Sequence, residues 1–218
     1  DLPLDRAMVA TIVHRIAGAP DAAGTNMPFR DVPAGAYYAQ PVLWAYHTGV
    51  VNGCGADTFC PTQAISRQDL TVILYRYACL TGIADAAQSE NVLSGFADAG
   101  AVSDYARAAL AWAVENGIVY GVSETLFEPE TNITREQIAA ILYRYASFKG
   151  YDVTVGEDTN ILSYEDFAEI SEYAIEPLAW TAGTGILAGR TASTLDPQEN
   201  ATRAEAATVL KRLFELNK

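Results

Sequence analysis

The stretch Asn132-Ile-Thr-Arg-Glu-Gln-Ile-Ala-Ala-Ile-Leu-Tyr-Arg-Tyr145 decides the fold of this chain. After Arg135 the apolar side chains follow the i, i+3, i+4, i+7 spacing of a helix that buries one face, and they are Ile138, Ile141, Leu142 and Tyr145. Thr134 and Gln137 have the spacing of a capping box, in which each side chain bonds the backbone N–H of the other residue. The stretch therefore predicts a capped amphipathic helix headed by an arginine.

The same pattern occurs four times, headed by Arg6, Arg67, Arg135 and Arg203. The residue before each arginine has a side-chain oxygen that can cap a helix, and these residues are Asp5, Ser66, Thr134 and Thr202. A second arginine follows nine residues after the first in every copy, as Arg15, Arg76, Arg144 and Arg212. Each copy predicts one long helix.

Tryptophan occurs only as Trp44, Trp112 and Trp180, at a constant spacing of 68 residues. Two glycines follow each tryptophan at fixed offsets, the first being Gly49, Gly117 and Gly185 and the second Gly53, Gly121 and Gly189. An aromatic-x-Asp motif precedes each tryptophan and contributes Asp31, Asp98 and Asp166. A tyrosine stands seven residues before each tryptophan, as Tyr37, Tyr105 and Tyr173. These shared offsets predict three tandem repeats.

Each repeat is predicted to hold a short helix, a glycine-punctuated loop and the long helix. The first glycine is expected to close the short helix in a left-handed conformation, and the second to permit a tight turn or a close approach. The repeats are predicted at 29–80, 96–150 and 164–217, with linkers at 81–95 and 151–163, and residues 1–18 match only the long helix of a partial repeat. One such repeat has too few helices to bury its apolar faces alone.

The predicted fold class is all-α, or mainly helical. Three long apolar stripes are best buried against one another, which favours closure into a pseudo-threefold trimer around a central bundle of the long helices. An open solenoid is the alternative.

Composition excludes several function classes. The formal charge of −13 argues against a nucleic-acid surface, which needs clustered Lys and Arg. No apolar run approaches the roughly 20 residues that cross a bilayer, so no membrane insertion is expected. The two histidines lack ligand spacing to the cysteines and no calcium loop occurs, so no metal is expected. No nucleophile motif or phosphate loop stands out, and the triplication itself argues against catalysis, so neither an enzyme nor a cofactor is predicted.

Cys54 and Cys60 are separated by five residues in one glycine-rich loop. They are able to form a disulfide if the protein is exported, and two free thiols are the alternative. Cys79 has no evident partner.

The repeats resemble the S-layer homology family, whose motif runs aromatic-x-Asp, Trp, Gly-Ile/Val-x-x-Gly, Phe-x-Pro and Ile-Thr-Arg-Ala-Glu. The middle repeat is the closest match, with Phe96-x-Asp98, Trp112, Gly117-Ile-Val-Tyr-Gly121, Phe127-Glu-Pro129 and Ile133-Thr-Arg-Glu136. The third repeat departs from the motif by placing Leu195 where the loop phenylalanine stands, and the first places cysteines in its loop. The grooves of the three repeats are therefore not expected to be equivalent.

The resemblance implies a non-catalytic anchor at the end of a larger exported surface protein, located in the cell wall or S-layer of Gram-positive-type bacteria. In that family, grooves between repeats bind secondary cell-wall polymers, often pyruvylated glycans. An assembly module of a surface-layer lattice, which binds protein, is the alternative. The residues that match the family's ligand-binding positions are Arg67, Arg135, Arg203, Trp44, Trp112, Trp180, Gly53, Gly121 and Gly189, and we add Asp31, Asp98 and Asp166 as candidates.

Each candidate also has a structural alternative. An arginine in the first turn of a helix can grip a carboxylate together with the unpaired N–H groups, or it can form a salt bridge within the protein. Each tryptophan can pack in the core, line a groove or do both, and each aspartate can cap a helix or hold a turn. If Arg135 binds the ligand, Arg135→Ala should weaken wall binding and leave the fold intact.

Overall fold

The computed structural model describes residues 5–17, 19–22, 26–84, 89–155, 160–187 and 189–200. As predicted, these residues are mainly helical, and among them β-structure is limited to isolated bridges. The α-helices of the described residues are α1 (Arg6–Ile16), α2 (Ala39–His47), α3 (Arg67–Leu80), α4 (Arg107–Glu115), α5 (Arg135–Phe148) and α6 (Ile175–Gly183). Short 3-10 helices precede α4 at Glu90–Gly95, Ala99–Ala101 and Asp104–Ala106, and precede α6 at Ile161–Ser163, Phe167–Glu169 and Glu172–Ala174.

The helix ends follow the predicted capping chemistry. The Ser66 side chain accepts a hydrogen bond from the Asp69 N–H at the start of α3, and Thr134 and Gln137 form the complete capping box of α5. The first glycine after each short helix is left-handed, with φ of 76° at Gly49, 65° at Gly117 and 68° at Gly185. The predicted caps of α3 and α5 and the left-handed glycines are confirmed, while Thr202 lies outside the described residues.

The apolar stripes of the long helices are buried as the spacing predicts. Ile138, Ile141, Leu142 and Tyr145 of α5 are all buried, as are Leu70, Ile73 and Leu74 of α3. Tyr77, the last position of the stripe expected in α3, is only half-buried. Burial extends beyond the stripe, because Thr71 and Val72 of α3 and Ala139 and Ala140 of α5 are also buried. The long helices are therefore core elements.

Each long helix packs against the short helix of the following repeat. The pairs are α1 with α2, α3 with α4, and α5 with α6. The aromatic contacts show the same offset, since Tyr75 of α3 lies 5.4 Å from the Trp112 ring of α4 and Tyr143 of α5 lies 5.7 Å from the Trp180 ring of α6. The unit of packing is thus displaced from the unit of sequence repetition.

The compact units of the chain agree with this displacement. One unit spans residues 5–132 and the other takes in the chain from Ile133 onward. The boundary falls inside the predicted repeat 96–150, just before its long helix, because α5 packs with elements that follow it.

Two predictions about the fold are not tested by the described residues. The long helix predicted near the C-terminus, with its arginines Arg203 and Arg212, lies outside the described residues, and the pseudo-threefold closure stays a prediction. The predicted linkers contain structure at their ends, where Leu93 and Ile161 are buried within 3-10 helices. No helix of the described residues is long and apolar enough to cross a membrane.

Candidate functional site

A carboxylate holds the loop of every repeat from one side. Asp98 accepts hydrogen bonds from the backbone N–H groups of Phe127 at 2.9 Å and Glu128 at 2.7 Å. Asp31 does the same for Phe59 at 2.8 Å and Cys60 at 2.7 Å, and Asp166 for Leu195 and Asp196. The second residue of each pair is left-handed, with φ of 57° at Cys60, 55° at Glu128 and 48° at Asp196. We call this arrangement the loop clamp.

The loop clamp also determines the charge state of Asp98. Burial by itself raises the pKa of this carboxyl, but the N–H groups of Phe127 and Glu128, with the charge of Arg67, hold the pKa below its ordinary value. The carboxylate is therefore stabilised in its charged form.

The motif arginine of the preceding long helix holds the same loop from the other side. Arg67 Nε donates to the Phe127 carbonyl at 3.2 Å, and Arg67 Nη2 donates to the Tyr120 carbonyl at 2.9 Å. Arg135 Nε donates to the Leu195 carbonyl at 2.6 Å. The exposed fractions of Arg67 and Arg135 are 4% and 0%. These two arginines are thus core residues that fasten a helix to the next loop.

The first N–H groups of the long helices are occupied by carbonyls of that loop. Arg67 and Gln68 donate to Thr131 and Pro129, and Arg135 and Glu136 donate to Glu199 and Pro197. Arg6 and Ala7 donate likewise to Gln63 and Pro61. Because the loop uses these groups, the anion site expected at the helix N-termini is not formed by them.

The second glycine of each repeat lies where no side chain fits. A Cβ built on Gly121 would meet the carbonyl oxygens of Leu126 and Ser123 at 2.5 Å and the Phe96 ring at 2.7 Å. Gly53 and Gly189 have the same surroundings, including the ring of Phe29 or Tyr164. These glycines permit the close approach that the sequence predicted, and the group that approaches belongs to the protein itself.

The tryptophans lie in the core. The exposed fractions are 2% for Trp112 and 1% for Trp180, and Trp44 is buried next to His14 of α1, with the ring centroids 5.4 Å apart. Trp180 Nε1 donates to the Asp152 carbonyl at 3.3 Å. In all three repeats the ring packs on the long helix of the preceding copy.

The unit of residues 5–132 contains a cavity of about 330 Å³ that we call the arginine groove. It is lined by Arg6, Val51, Asn52, Gly53, Cys54, Phe59, Gln63, Asp69, Val72, Ile73, Arg76 and Tyr105. Two cations and one carboxylate face it, in a chain whose formal charge is −13. The groove is therefore a local positive site on an acidic protein.

Backbone and ring contacts hold Arg6 at the groove. Arg6 Nε donates to the Phe59 carbonyl at 2.9 Å, Nη2 donates to the Asn52 carbonyl at 2.6 Å, and the guanidinium lies 4.9 Å from the centre of the Phe59 ring. Burial lowers the pKa of Arg6, while Asp69, Tyr105 and Asp31 oppose that shift.

Arg76 comes from α3 and has fewer backbone anchors. Its Nη1 donates to the Val50 carbonyl at 3.5 Å. With the Asn52 side-chain amide in the orientation that satisfies both of its hydrogen bonds, the Asn52 side-chain oxygen accepts from Arg76 Nη2 at 3.0 Å. Burial lowers the pKa of Arg76, and the like charge of Arg6 lowers it further. An anion bound beside both guanidiniums would offset the unfavourable effect of the Arg6 charge on Arg76.

Tyr105 and Asp69 close one side of the groove. The Tyr105 hydroxyl donates to Asp69 Oδ1 at 2.8 Å, and Ser66 Oγ donates to Asp69 Oδ2 at 2.9 Å. Burial and the Asp69 carboxylate raise the pKa of Tyr105 to about 12, so the hydroxyl remains a donor. In the other unit Tyr173 donates in the same manner to Glu136 Oε1 at 2.8 Å.

Cys54 and Cys60 are joined by a disulfide across the loop of the first repeat. Cys54 also lines the arginine groove, and Cys60 donates its N–H to Asp31. The bridge therefore connects the groove wall to the loop clamp.

Within each unit the structure brings the aspartates, the second glycines and the motif arginines Arg67 and Arg135 to the loops, while the tryptophans pack on the long helices. Arg203 lies outside the described residues. Of the ligand-binding candidates among the described residues, Gly53 alone lines the arginine groove, next to the disulfide candidate Cys54. Arg6, Arg76, Asp69 and Tyr105 were not predicted as site residues, although the recurring second arginine and the recurring tyrosine were signals for two of them.

The repeats of this chain are tandem helical modules, and each has a clamped loop, a glycine that closes the short helix and a buried tryptophan. The S-layer homology domain matches residues 28–71, 95–139 and 163–207, which is more than half of the chain. This chain belongs to the S-layer homology family, and the predicted three tandem repeats are confirmed.

Relatives of this chain include both enzymes and surface proteins. An endoglucanase of Bacillus sp. (strain KSM-635) is 29% identical over 86% of this chain and 19% of its own length. An amylopullulanase of Thermoanaerobacterium thermosulfurigenes is 37% identical over 53% of the chain and 6% of its own length. An S-layer protein of Bacillus licheniformis is 28% identical over 92% of the chain and 21% of its own length.

The matched region is about a fifth or less of each of these three proteins. Family membership and the surface-protein relatives make this chain a cell-wall-associated extracellular module. The enzymes match it through the repeat region, so the similarity is to a module that they share.

Proposed function

We propose that this chain is a non-catalytic anchor that attaches a larger polypeptide to the cell wall by binding an anionic secondary polysaccharide. The observation that carries the proposal is the pair Arg6 and Arg76 at the arginine groove of an acidic protein. The chain has too little positive charge to attract a polyanion by its average field, so recognition has to be local.

The chemistry of the groove favours a carboxylate carried on a sugar. Guanidinium groups bind carboxylates through charge-assisted hydrogen bonds, and pyruvate ketals supply one carboxylate per modified sugar. Phe59, Val72 and Ile73 give the groove apolar surface beside the arginines, which fits the methyl group and ring carbons of such a ligand. Its volume of about 330 Å³ lies within the range of small-molecule sites.

The sequence candidates take supporting roles in this proposal. Arg67 and Arg135 are buried and donate to loop carbonyls, and the buried tryptophans pack on the long helices. We infer that Arg67 and Arg135 hold the loops of the second and third repeats, while Asp31 and Arg6 hold the first-repeat loop that presents Asn52, Gly53 and Cys54 to the ligand. Direct ligand contact by these buried residues stays a prediction of the family resemblance.

The relatives support an anchoring role within longer proteins. Enzymes that act on polysaccharides and proteins of the surface layer share the repeat region while differing in name and length. A common module that holds different proteins at the wall explains this distribution.

Sedimentation with purified wall sacculi tests the anchor directly. The chain should pellet with intact sacculi and remain in the supernatant when the secondary polysaccharide has been extracted. Pelleting that survives the extraction would contradict polysaccharide binding. The alternative of protein assembly predicts concentration-dependent self-association without wall material, which analytical ultracentrifugation measures.

A further inference from the structure

A second cavity of about 450 Å³ adjoins the arginine groove in the same unit. The two cavities share Gln63, Asp69 and Tyr105, so the hydrogen-bonded pair of Asp69 and Tyr105 forms a wall of both. We call this second space the polar cavity.

The lining of the polar cavity has a different charge from that of the groove. Besides the shared wall it contains Ser66, Gln68, Ser103, Glu130 and Asn132, with Ala64, and no arginine or lysine is among these described residues. Its two carboxylates, Asp69 and Glu130, disfavour an anion. Hydroxyl, amide and carboxylate groups on one surface are suited to hydrogen bonds with an uncharged, hydroxyl-rich ligand.

Hydrogen bonds hold several of the side chains that line the polar cavity. Gln68 donates from Nε2 to Ser103 Oγ at 3.2 Å and accepts from the Ser103 N–H at 3.1 Å. Ser66, Gln68 and Asp69 are all buried, and the backbone of Ser66 bridges that of Asn132. Side chains locked in this manner lose little freedom when a ligand binds.

We propose that the polar cavity binds the neutral sugar adjacent to the carboxylate-bearing sugar of the same polymer. The proposal rests on the proposed function, because it places the charged sugar in the arginine groove. The shared wall of Asp69 and Tyr105 then separates a cationic subsite from a neutral one. A polymer that alternates charged and uncharged sugars is recognised by both subsites together.

Calorimetry with two probes tests this inference. One probe is the methyl glycoside of a pyruvylated N-acetylhexosamine, and the other is the same sugar linked to a neutral N-acetylhexosamine. The protein should bind the disaccharide at least about fivefold more tightly than the monosaccharide, because the second ring adds hydrogen bonds in the polar cavity. A disaccharide whose second sugar is a uronic acid should lose this gain.

Variants at the rim assign the gain to the polar cavity. Glu130 and Asn132 are exposed, so Glu130→Ala with Asn132→Ala should leave the melting temperature and the monosaccharide affinity unchanged while removing the disaccharide gain. Glu124→Ala, at an exposed loop position that lines neither cavity, is the matched control and should retain the gain.

The failures are distinguishable. Equal affinity of the wild-type protein for both probes would contradict sugar binding in the polar cavity, while the proposed anchoring function would remain supported. A rim variant that weakens both probes equally would overturn the separation into two subsites. If the protein binds neither probe, the arginine groove is not the carboxylate site, and this inference fails with it.

Discussion

Arg67 and Asp98 belong to different repeats, yet both bind the backbone of Phe127. Arg67 donates to its carbonyl oxygen and Asp98 accepts from its N–H. In the other unit Arg135 and Asp166 stand in the same relation to Leu195. Two oppositely charged side chains thus hold one loop residue from its two polar ends, which explains why the arginine, the aspartate and the loop recur together.

Arg135→Ala should unfold or strongly destabilise the protein. The side chain is fully buried, so its removal leaves a cavity and deprives the buried Leu195 carbonyl of a charged donor. We expect a loss of about 2 kcal/mol or more in the free energy of unfolding, measured by urea denaturation followed by helical circular dichroism. This differs from the result expected from the sequence alone, which was weaker wall binding by an intact fold.

Arg30→Ala is the control for that variant. Arg30 forms an ion pair with Asp57 at 3.4 Å while its side chain remains 73% exposed, so its loss should be nearly neutral. An Arg135→Ala protein with wild-type stability and impaired wall binding would return Arg135 to the role of a ligand residue.

Gly121→Ala should destabilise the loop of the second repeat. The added methyl group would overlap two carbonyl oxygens of the backbone, which cannot move without breaking the loop. A loss of about 2 kcal/mol or more is expected. Gly100→Ala, at a position with no heavy atom within 4 Å of the new Cβ, should change stability little. Equal denaturation midpoints for the two variants would contradict the close approach.

Asp98→Asn should weaken the loop clamp and alter the acid stability. The amide retains one oxygen but no charge for the N–H groups of Phe127 and Glu128, so a loss of about 1–3 kcal/mol is expected. The pKa of Asp98 in the folded protein lies below its ordinary value of 3.8. Its contribution to stability is therefore complete above that pH and is lost as the pH falls from 3.8 through the folded pKa.

Urea midpoints measured between neutral and strongly acidic pH check both parts of this prediction. The variant should be less stable at neutral pH and lose less stability than the wild type on acidification. Asp104→Asn is the control, since Asp104 is fully exposed and pairs only weakly with Arg107. Parallel pH curves for wild type and Asp98→Asn would contradict the clamp.

The helices and their caps were predictable because their signals are local. The stripe after Arg135, the Thr134 cap and the closing glycines each depend on residues within a few positions. The tandem repeats were predictable because identical offsets recur three times. The burial of Arg67 and Arg135 was not predictable. Each donates to a backbone carbonyl 60 residues away, and because every residue type has such a carbonyl, the sequence does not mark the partner.

The arginine groove was missed for a related reason. Arg6 heads a partial repeat, and Arg76 is the recurring second arginine of a long helix, for which no ligand role was predicted from the sequence. The packing of α1 against the following repeat brings Arg6 to the loop of residues 52–54 and to Arg76, both of which belong to that repeat. Sequence spacing gives the period of a repeat but does not say which copy supplies each wall of a groove.

Reduction of the Cys54–Cys60 disulfide should lower both stability and affinity. The bridge closes a short loop, for which about 2 kcal/mol of stabilisation is typical, and the same loop lines the arginine groove. Cys54→Ser with Cys60→Ser should reproduce the effect of reducing agent on the melting temperature and on wall binding. Cys79→Ser is the control, since Cys79 is a free cysteine outside the groove. Unchanged affinity in the double variant would show that the disulfide does not contribute to binding at the arginine groove.

Calorimetric titration with purified secondary wall polymer, before and after removal of its pyruvate ketals, tests the central claim most directly. The wild-type protein should bind the untreated polymer about tenfold or more tightly than the treated one, because each lost carboxylate removes a charge-assisted contact. Arg76→Gln should bind both polymers with the same weakened affinity, while Arg30→Gln, outside the groove, should behave as wild type. Equal affinity of the wild-type protein for the two polymers would contradict the account.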